Sequence, residues 1–285
     1  MQTLIIDCSY LCHQARHVLK GLTFNHMDTN IIFGFMYRVL NLAKRFNTNR
    51  LAFAWDSKYN LRKEMFPAYK KRRKEKFLDD NEIKQLDIII GQFDRIRSDV
   101  LPSIGFRHII RQKGHEADDI MMSVVMNNPG RNVMVTADED MYQSLDYCDI
   151  WKPSSKKMYT KKDLWKEYGI SPSQWAEVKA MAGCSTDEVP GIKGIGNKTA
   201  AKIIAGVKNS GTKFEKAYSP EGREIIERNR PLVTLPLPST KKFKLNFSKE
   251  KLSRMDFIST CSKYGMESFT NKGNLTTWAK LFQMK

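Results

Sequence analysis

The sequence predicts an α/β protein built on a parallel sheet, because short apolar runs alternate with helical patterns through its first half. Three apolar runs end at an acid: Thr3–Ile6 before Asp7, Leu51–Trp55 before Asp56, and Asn132–Ala137 before Asp138. Near-continuous apolar runs of this length are typical of parallel strands buried on both faces. Helical patterns over 31–46 and 82–100 lie between these runs, and such alternation indicates a parallel α/β sheet.

The remaining elements suggest three regions along the chain. A further short strand is predicted over 106–110, and helices joined by Gly- and Pro-bearing turns are predicted over 164–168, 173–181 and 199–207. We therefore expect an α/β core over 1–160 with a basic arm at about 57–90, and a helical domain over 161–230. A Pro-rich connection over 231–238 opens a last segment, 231–285, that is expected to pack on the core.

Composition restricts the class of protein. The 285 residues include 48 Lys and Arg against 31 Asp and Glu, a net charge of +17, and this excess favours a polyanionic partner. No apolar run approaches the roughly 18 residues of a membrane span, and the N-terminus lacks the basic start of a signal peptide. The five scattered cysteines form no zinc-binding set. They indicate reduced thiols and a cytoplasmic location.

Acidic residues cluster where function collects in parallel sheets. Asp7, Asp56 and Asp138 end strands, and the carboxyl ends of neighbouring parallel strands meet at one edge. The segment 114–121 adds Glu116, Asp118 and Asp119, and Asp140 follows Asp138. A capping cluster or a solvated turn would explain either segment alone. Together they would crowd like charges, a conflict that divalent cations resolve, and all-oxygen ligands favour Mg²⁺ or Mn²⁺ over zinc. Two such ions would suit phosphodiester hydrolysis.

The segment 62–76 is dense in Lys and Arg. A helical arm from Tyr69 onward would present a phosphate-binding face, with Phe66 and Tyr69 available to stack on bases. A solvated charged helix is the alternative, but a single-sign block of this density repels itself in the absence of a polyanion.

A glycine-rich hairpin is the sharpest local signal. Gly191, Gly194 and Gly196 permit a tight turn and close backbone approach. A helix that starts after Gly196 would offer free amides, with Lys198 and Thr199, to a phosphate. The Gly-Lys-Ser/Thr order of a Walker loop is missing. The pattern resembles the helix-hairpin-helix motif that grips duplex backbone without reading sequence; an ordinary structural turn is the alternative.

Taken in order, these segments resemble the 5′ nuclease family of flap endonucleases, bacteriophage 5′–3′ exonucleases and the 5′-nuclease domain of bacterial DNA polymerase I. The resemblance covers about residues 3–207. It rests on the Asp7 strand, on Asp56 with Arg62 and 67–73, on 116–119, on 136–140, and on 183–200. It implies a PIN-like core, a helical arch over the active site and a helix-three-turn-helix domain that holds duplex DNA.

The resemblance also implies roles for individual residues. The metal carboxylates would be Asp7, Asp56, Glu116, Asp118, Asp119, Asp138, Asp140 and Asp187. Lys70 and Arg73 would approach the scissile phosphate. Substrate contacts would be made by Arg62, Tyr69, Lys71, Arg72, Gly191, Lys193, Gly194, Gly196, Lys198 and Thr199. The implied cofactors are two Mg²⁺ ions, with Mn²⁺ as a substitute, and K⁺ held by backbone carbonyls at the glycine hairpin.

The implied partner is branched or nicked double-stranded DNA with a free 5′ end, or an RNA–DNA hybrid. A monomeric enzyme of DNA replication and RNA-primer removal is expected, in a bacterial or virus-infected cytoplasm and in contact with other replication proteins. Membrane association is not expected.

Three positions depart from the family pattern. Cys184 stands where the family has the first acid of a Gly-Asp-x-x-Asp run, Cys8 where Gly is usual, and Gln14 where Arg is common. A thiol is a poor ligand for a hard cation, so the second metal site would have one carboxylate fewer.

Two other functions stay open at this point. A branched-DNA-binding protein with a decayed metal site would explain Cys184 and Gln14, although the surviving carboxylates argue against it. A PIN-type ribonuclease would share the core, although such enzymes generally lack the basic arch and the glycine hairpin.

Overall fold

The fold is organised by a central sheet, seen in a computed structural model that describes residues 1–17, 21–71 and 79–285. The strands of the described residues are β1 Thr3–Asp7, β2 Thr23–Phe24, β3 Met27–Asp28, β4 Leu51–Trp55, β5 Ile109–Arg111, β6 Asn132–Val135, β7 Asp149–Lys152, β8 Lys157–Tyr159, β9 Gly183–Cys184 and β10 Val189–Pro190. Six of them form the central sheet in the order β5-β4-β1-β6-β7-β8. All neighbours pair in parallel except β7 and β8, which are antiparallel.

Helices surround this sheet. The α-helices of the described residues are α1 Cys8–Ala15, α2 Asn30–Arg45, α3 Arg62–Met65, α4 Asp80–Arg95, α5 Leu101–Ile104, α6 Ala117–Asn127, α7 Lys161–Tyr168, α8 Trp175–Ala182, α9 Asn197–Ile204, α10 Thr212–Tyr218, α11 Pro220–Val233, α12 Arg254–Lys263 and α13 Lys272–Phe282. The predicted α/β fold with a parallel sheet is confirmed. None of the helices in the described ranges has both the length and the apolar character needed to cross a bilayer.

Successive side chains along the strands point to opposite faces of the sheet and pack into two cores, one on each face. In β1, Leu4 and Ile6 point into the core formed with α1, α2, α12 and α13, whereas Ile5 points into the core formed with α6, α8 and α9. Strands β4 and β6 alternate in the same way. Helices cover both faces, which explains why these strands are apolar at nearly every position.

Two elements differ from the sequence-based prediction. The strand predicted over 106–110 begins only at Ile109, because the amides of Arg107 and His108 donate to Glu250 Oε1 at 3.0 and 3.3 Å instead of pairing in the sheet. The helix predicted over 82–100 continues through a π-helical turn into α5 and ends at Gly105. Gly105 has φ +109°, and a Cβ there would lie 2.6 Å from the Lys251 carbonyl oxygen.

The arm predicted from Tyr69 onward falls only partly on the structure. Helix α3 and the chain to Lys71 are described, while Arg72 and Arg73 lie outside the described residues. The expected division of the chain at residues 160 and 230 stays a prediction.

Residues 234–246, which we name the C-terminal strap, follow the end of α11 and pack beside α6 in the core that contains Ile5. Gln143 donates to the Val233 carbonyl oxygen at 2.9 Å and accepts from the Leu235 amide at 3.1 Å. Farther along, Asn128 donates to the Phe243 carbonyl oxygen and accepts from the Leu245 amide, both at 2.8 Å. Side chains on and around α6 thus replace a strand partner for this irregular backbone.

Candidate active site

Three adjacent strands place carboxylates at one edge of the sheet. Asp7 is the last residue of β1; its Oδ1 accepts the Tyr10 amide at 2.9 Å, and its Oδ2 accepts the Thr136 hydroxyl at 3.1 Å. Asp56 follows β4 on one side, and Asp138 follows β6 on the other. The parallel register therefore gathers the three acids, as the sequence suggests.

Helix α6 adds acids at its N-terminus, directly over this edge. Glu116 is its N-cap, and Asp118 and Asp119 lie in its first turn. The Ala117 amide donates to Asp56 Oδ1 at 2.8 Å, which joins the helix start to the end of β4. The positive end of the helix dipole favours acids here.

Crowding in this cluster perturbs its titration. Burial, reinforced by Asp56 and Asp138, raises the pKa of Asp7 to about 7. Burial and the neighbouring Asp138, Asp7 and Glu116 also raise the pKa of Asp118. The carboxylates pay an electrostatic penalty for their proximity, and oxygen donors of this kind fit Mg²⁺ or Mn²⁺.

A second cluster lies at the short β9–β10 hairpin. Ligand atoms of Asp140, Cys184 and Asp187 all lie within 4.8 Å of one another. The Cys184 thiol is buried, 3.0 Å from the Thr186 hydroxyl, and burial raises its pKa to about 11. Cys184 thus lies beside Asp187, at the position where the family resemblance implies an acid.

Lys179 is a member of this cluster that sequence reasoning missed. Its Nζ lies 2.9 Å from Asp140 Oδ1, and its side chain is 8% exposed. Burial would lower the pKa of Lys179, but Asp140 and Cys184 raise it. The available signal was a single lysine within the largely apolar α8, where Trp175, Val178 and Met181 are buried.

Tyr69 and Lys70 lie between the second cluster and the start of α6. The Tyr69 hydroxyl lies 2.8 Å from Glu116 Oε2 and 3.0 Å from Asp187 Oδ2. The Lys70 ammonium contacts Glu116 and lies 3.4 Å from Asp187 Oδ1. Burial would lower the pKa of Lys70, but Glu116 and Asp187 raise it, so the ammonium stays charged.

The backbone holds Lys70 in this position. Lys70 has φ +51°, an unusual conformation for a residue with a side chain, and its amide donates to the Asp187 carbonyl oxygen at 2.9 Å. Tyr69 is 3% exposed, so in this structure its ring is buried rather than available for stacking.

Arg62 and Asp119 are bound to each other inside the protein, whereas the family resemblance implies that they contact substrate and metal. Arg62 is buried, and its guanidinium forms two hydrogen bonds with the carboxylate of Asp119, at 2.7 and 2.8 Å. Both Asp119 oxygens are therefore engaged by Arg62 within the protein. The structure brings the pair together beside Glu116, away from solvent.

The glycine hairpin is a direct continuation of the second cluster. Val189 pairs with Cys184 and Pro190 with Gly183. A Cβ on Gly191 would lie 2.1 Å from the Ala182 backbone, and one on Gly183 would lie 2.3 Å from the Gly191 amide nitrogen. Gly194 has φ +86°, which suits the turn, and Gly196 is the N-cap of α9. Lys193 and Lys198 are exposed, and Thr199 is half-buried in the first turn of α9.

Comparison with known proteins identifies the family of the chain. The family model described as "5′-3′ exonuclease, N-terminal resolvase-like domain" matches residues 2–169. The chain belongs to the 5′–3′ exonuclease family.

Curated relatives of this exonuclease-family chain are much longer than it is. Over 209 residues it is 30% identical to the thermostable DNA polymerase I of Thermus aquaticus, a match that covers 71% of this chain and 24% of the relative. Over 220 residues it is 31% identical to DNA polymerase I of Deinococcus radiodurans, with 75% and 21% covered. The chain spans about a quarter of the length of the curated relatives it matches.

Solved structures share the fold across nearly the whole chain. The T5 5′-exonuclease with bound divalent zinc ions superposes with a TM-score of 0.66 at 17% identity, covering 100% of this chain and 99% of that one. The catalytic core of Rad2 in complex with DNA substrate gives 0.53 at 14% identity, covering 99% and 90%.

The raised pKa of Asp7 predicts how pH affects the metal-free protein. Its folded-state pKa of about 7 exceeds the unfolded value of about 3.9, so the folded state binds more protons between those values. The free energy of unfolding should therefore fall as pH rises from about 5 to 7.5, by at least ~1 kcal/mol, or roughly 2 °C in Tm. Melting curves in chelator measure this.

Asp7→Asn is the control, because it removes this titration. It should show a smaller decline over the same range, and Mg²⁺ should reduce the decline in the natural sequence. Equal slopes for both proteins in chelator would contradict the assignment.

The position of Cys184 predicts how the metal requirement can be changed. Cys184→Asp adds a hard oxygen ligand beside Asp140 and Asp187, so it should lower the Mg²⁺ concentration for half-maximal cleavage. The natural sequence should also work relatively better with Mn²⁺ than with Mg²⁺. Metal titrations of cleavage rate, with a melting curve for each variant, measure this.

Cys184→Ser is the matched control, since it removes the sulfur without adding charge. If Cys184 serves only as a small apolar core residue, Cys184→Asp will be destabilised and its Mg²⁺ requirement unchanged.

Proposed function

We propose that this chain is a divalent-metal-dependent 5′ nuclease that cuts DNA at single-strand/double-strand junctions, acting as flap endonuclease and 5′–3′ exonuclease. The observation that carries the proposal is the convergence of Asp7, Asp56 and Asp138 with the start of α6 at one sheet edge. Family membership and the DNA-bound structural neighbour support it.

The site is proposed to hold two Mg²⁺ ions, with Mn²⁺ as a substitute. Asp7, Asp56, Glu116, Asp118 and Asp138 are the candidate ligands of the first group. Asp140 and Asp187 are those of the second, where Cys184 lies beside them without being a suitable ligand for Mg²⁺. When bound, such ions supply an activated water and stabilise the leaving oxygen of a phosphodiester.

The protein's own cations complete this chemistry. Lys70 is held where its ammonium can move from the carboxylates of Glu116 and Asp187 to a phosphate oxygen that gains charge during hydrolysis. Arg73 is proposed to act beside it. Lys179 offsets the charge of Asp140 and keeps that carboxylate oriented.

The duplex is proposed to lie on the glycine hairpin. The first-turn amides of α9, with Lys193, Lys198 and Thr199, suit backbone phosphates, and Lys71 and Arg72 would engage the strand entering the site. K⁺ at the hairpin carbonyls is part of the proposal. So are a monomeric state, a cytoplasmic location, and a role in replication and RNA-primer removal on branched, nicked or RNA–DNA hybrid substrates.

Cleavage of a 5′-flap DNA is the decisive experiment. With Mg²⁺ the protein should release the flap, and excess chelator or Asp118→Asn should abolish cleavage while binding is kept or tightened, because removal of an acid reduces repulsion of phosphate. Glu224→Gln changes the net charge equally at an exposed position on α11 and should cleave normally.

An all-RNA version of the same flap separates the alternatives. Preferential cleavage of the RNA would favour a PIN-type ribonuclease. Tight flap binding without cleavage in any divalent metal would favour a branched-DNA-binding protein. Full cleavage in excess chelator would exclude the metal mechanism.

The hairpin predicts sequence-independent, salt-sensitive binding. Each phosphate contact contributes about 0.9 log unit of affinity per log unit of salt. Lys198→Ala should therefore flatten the salt dependence of duplex affinity by about one contact, measured by anisotropy at several salt concentrations. Lys272→Ala, on α13, is the control and should leave the slope unchanged. Identical slopes for both variants would reduce the hairpin to a structural turn.

A further inference from the structure

The buried guanidinium of Arg62 connects three separate parts of the molecule. Nε donates to the Leu232 carbonyl oxygen at 2.8 Å, Nη1 and Nη2 bind the Asp119 carboxylate, and Nη2 also lies 3.5 Å from the Thr234 carbonyl oxygen. Nη1 also lies 3.3 Å from Glu116 Oε2. Every nitrogen of the guanidinium is thus engaged inside the protein, and the side chain is 2% exposed.

The carboxylate of Asp119 also accepts hydrogen bonds from two backbone amides. Besides the two Arg62 hydrogen bonds, Oδ1 accepts the Leu237 amide at 2.9 Å and Oδ2 accepts the Glu116 amide at 3.1 Å. This carboxylate therefore joins the C-terminal strap to the first turn of α6, and its side chain is 0% exposed.

These contacts fix Glu116 from two sides. Its backbone amide is held by Asp119 and its carboxylate by Arg62, on the edge where the carboxylates converge. A planar guanidinium makes such paired contacts, whereas an ammonium at the same place cannot.

We propose that Arg62 and Asp119 are positioning residues: the Arg62–Asp119 pair locks the C-terminal strap onto α6 and thereby holds Glu116 ready to bind a divalent cation. The proposal rests on the metal-dependent function proposed above. Arg62 then makes no phosphate contact, and Asp119 is not itself a metal ligand, which reassigns two residues that the family resemblance placed on substrate and metal.

Outer groups that orient a ligand typically change metal affinity by about 10- to 100-fold when they are altered. Arg62→Lys keeps the charge but loses the paired geometry, and Asp119→Asn keeps the shape but loses the charge. Each should weaken Mn²⁺ binding, measured by calorimetry without DNA, by about tenfold or more.

A double-mutant cycle distinguishes positioning from direct ligation. If the two residues act as one unit, Arg62→Lys/Asp119→Asn should bind Mn²⁺ about as weakly as either single variant. Additive losses, or a loss confined to Asp119→Asn, would show that Asp119 ligates the metal directly and would overturn the proposal.

Duplex affinity tests the alternative role of Arg62. We expect the salt dependence of duplex affinity to be the same as that of the natural sequence in Arg62→Lys/Asp119→Asn and in Arg62→Met/Asp119→Leu. In Lys71→Ala, by contrast, that dependence should be weaker by about one phosphate contact. A slope flattened by the Arg62→Met/Asp119→Leu change would show a phosphate contact and overturn the proposal.

The Arg62→Met/Asp119→Leu variant tests the proposal even if the single variants do not fold. Replacement of both members of a buried ion pair is tolerated better than the loss of one. This variant keeps every proposed metal ligand, so saturating Mn²⁺ should restore most of the variant's single-turnover cleavage rate. Failure of that rescue, or unchanged Mn²⁺ affinity, would contradict positioning. An absence of cleavage in the natural sequence would instead refute the proposed function. The Mn²⁺ affinities of the double-mutant cycle would still test the positioning role, because calorimetry does not depend on cleavage.

Discussion

Repulsion among carboxylates at the edge of a parallel sheet is the constraint on which the rest of this structure depends. The register of β1 with β4 and β6 brings Asp7, Asp56 and Asp138 to the same edge of the sheet, and the start of α6 brings further acids over them. A fold that gains only marginal net stability cannot absorb such repulsion without compensation. The raised pKa of Asp7 is the direct sign of this cost.

The chain provides part of the compensation from its own basic residues. Lys179 neutralises Asp140, Lys70 contacts both Glu116 and Asp187, and Arg62 pairs with Asp119. These cations lie at the periphery of the acidic group, while Asp7 and Asp118 at its centre keep raised pKa values. The residual negative charge is therefore concentrated where a divalent cation would lie, although the chain as a whole carries a net charge of +17.

What the sequence could predict depended on how local the physical signal was. Strand ends marked by Asp7, Asp56 and Asp138 follow from a few consecutive apolar residues, so both the sheet and its acidic edge were predictable. The contacts of Arg62 with Leu232 and Asp119 join residues 170 and 57 positions apart, and no local pattern encodes them.

Lys179 was not predicted for a related reason. A lone lysine on an apolar helix is expected at the surface unless its partner, here Asp140, is known. The strap was predicted only as a Pro-rich connection, since irregular backbone bonded to side chains has no periodicity. The family resemblance supplied roles for Arg62 and Asp119 that depend on exposure, and exposure is a tertiary property.

The β9–β10 hairpin shows how duplex binding and chemistry can be coupled without a flexible joint. Cys184 stands on β9, Val189 opposite it on β10, and Gly191 follows two residues later at the start of the glycine turn. The backbones at Gly183 and Gly191 approach so closely that no Cβ fits at either position, which leaves little freedom between the second cluster and the turn. Asn229 on α11 adds a buried clamp, donating to the Ala180 and Pro190 carbonyl oxygens at 2.9 and 3.0 Å. Under the proposed function, a phosphate backbone seated on α9 would therefore be held at a fixed distance from Asp140, Cys184 and Asp187, and packed backbone rather than side-chain reach would set the position of the cut relative to the duplex.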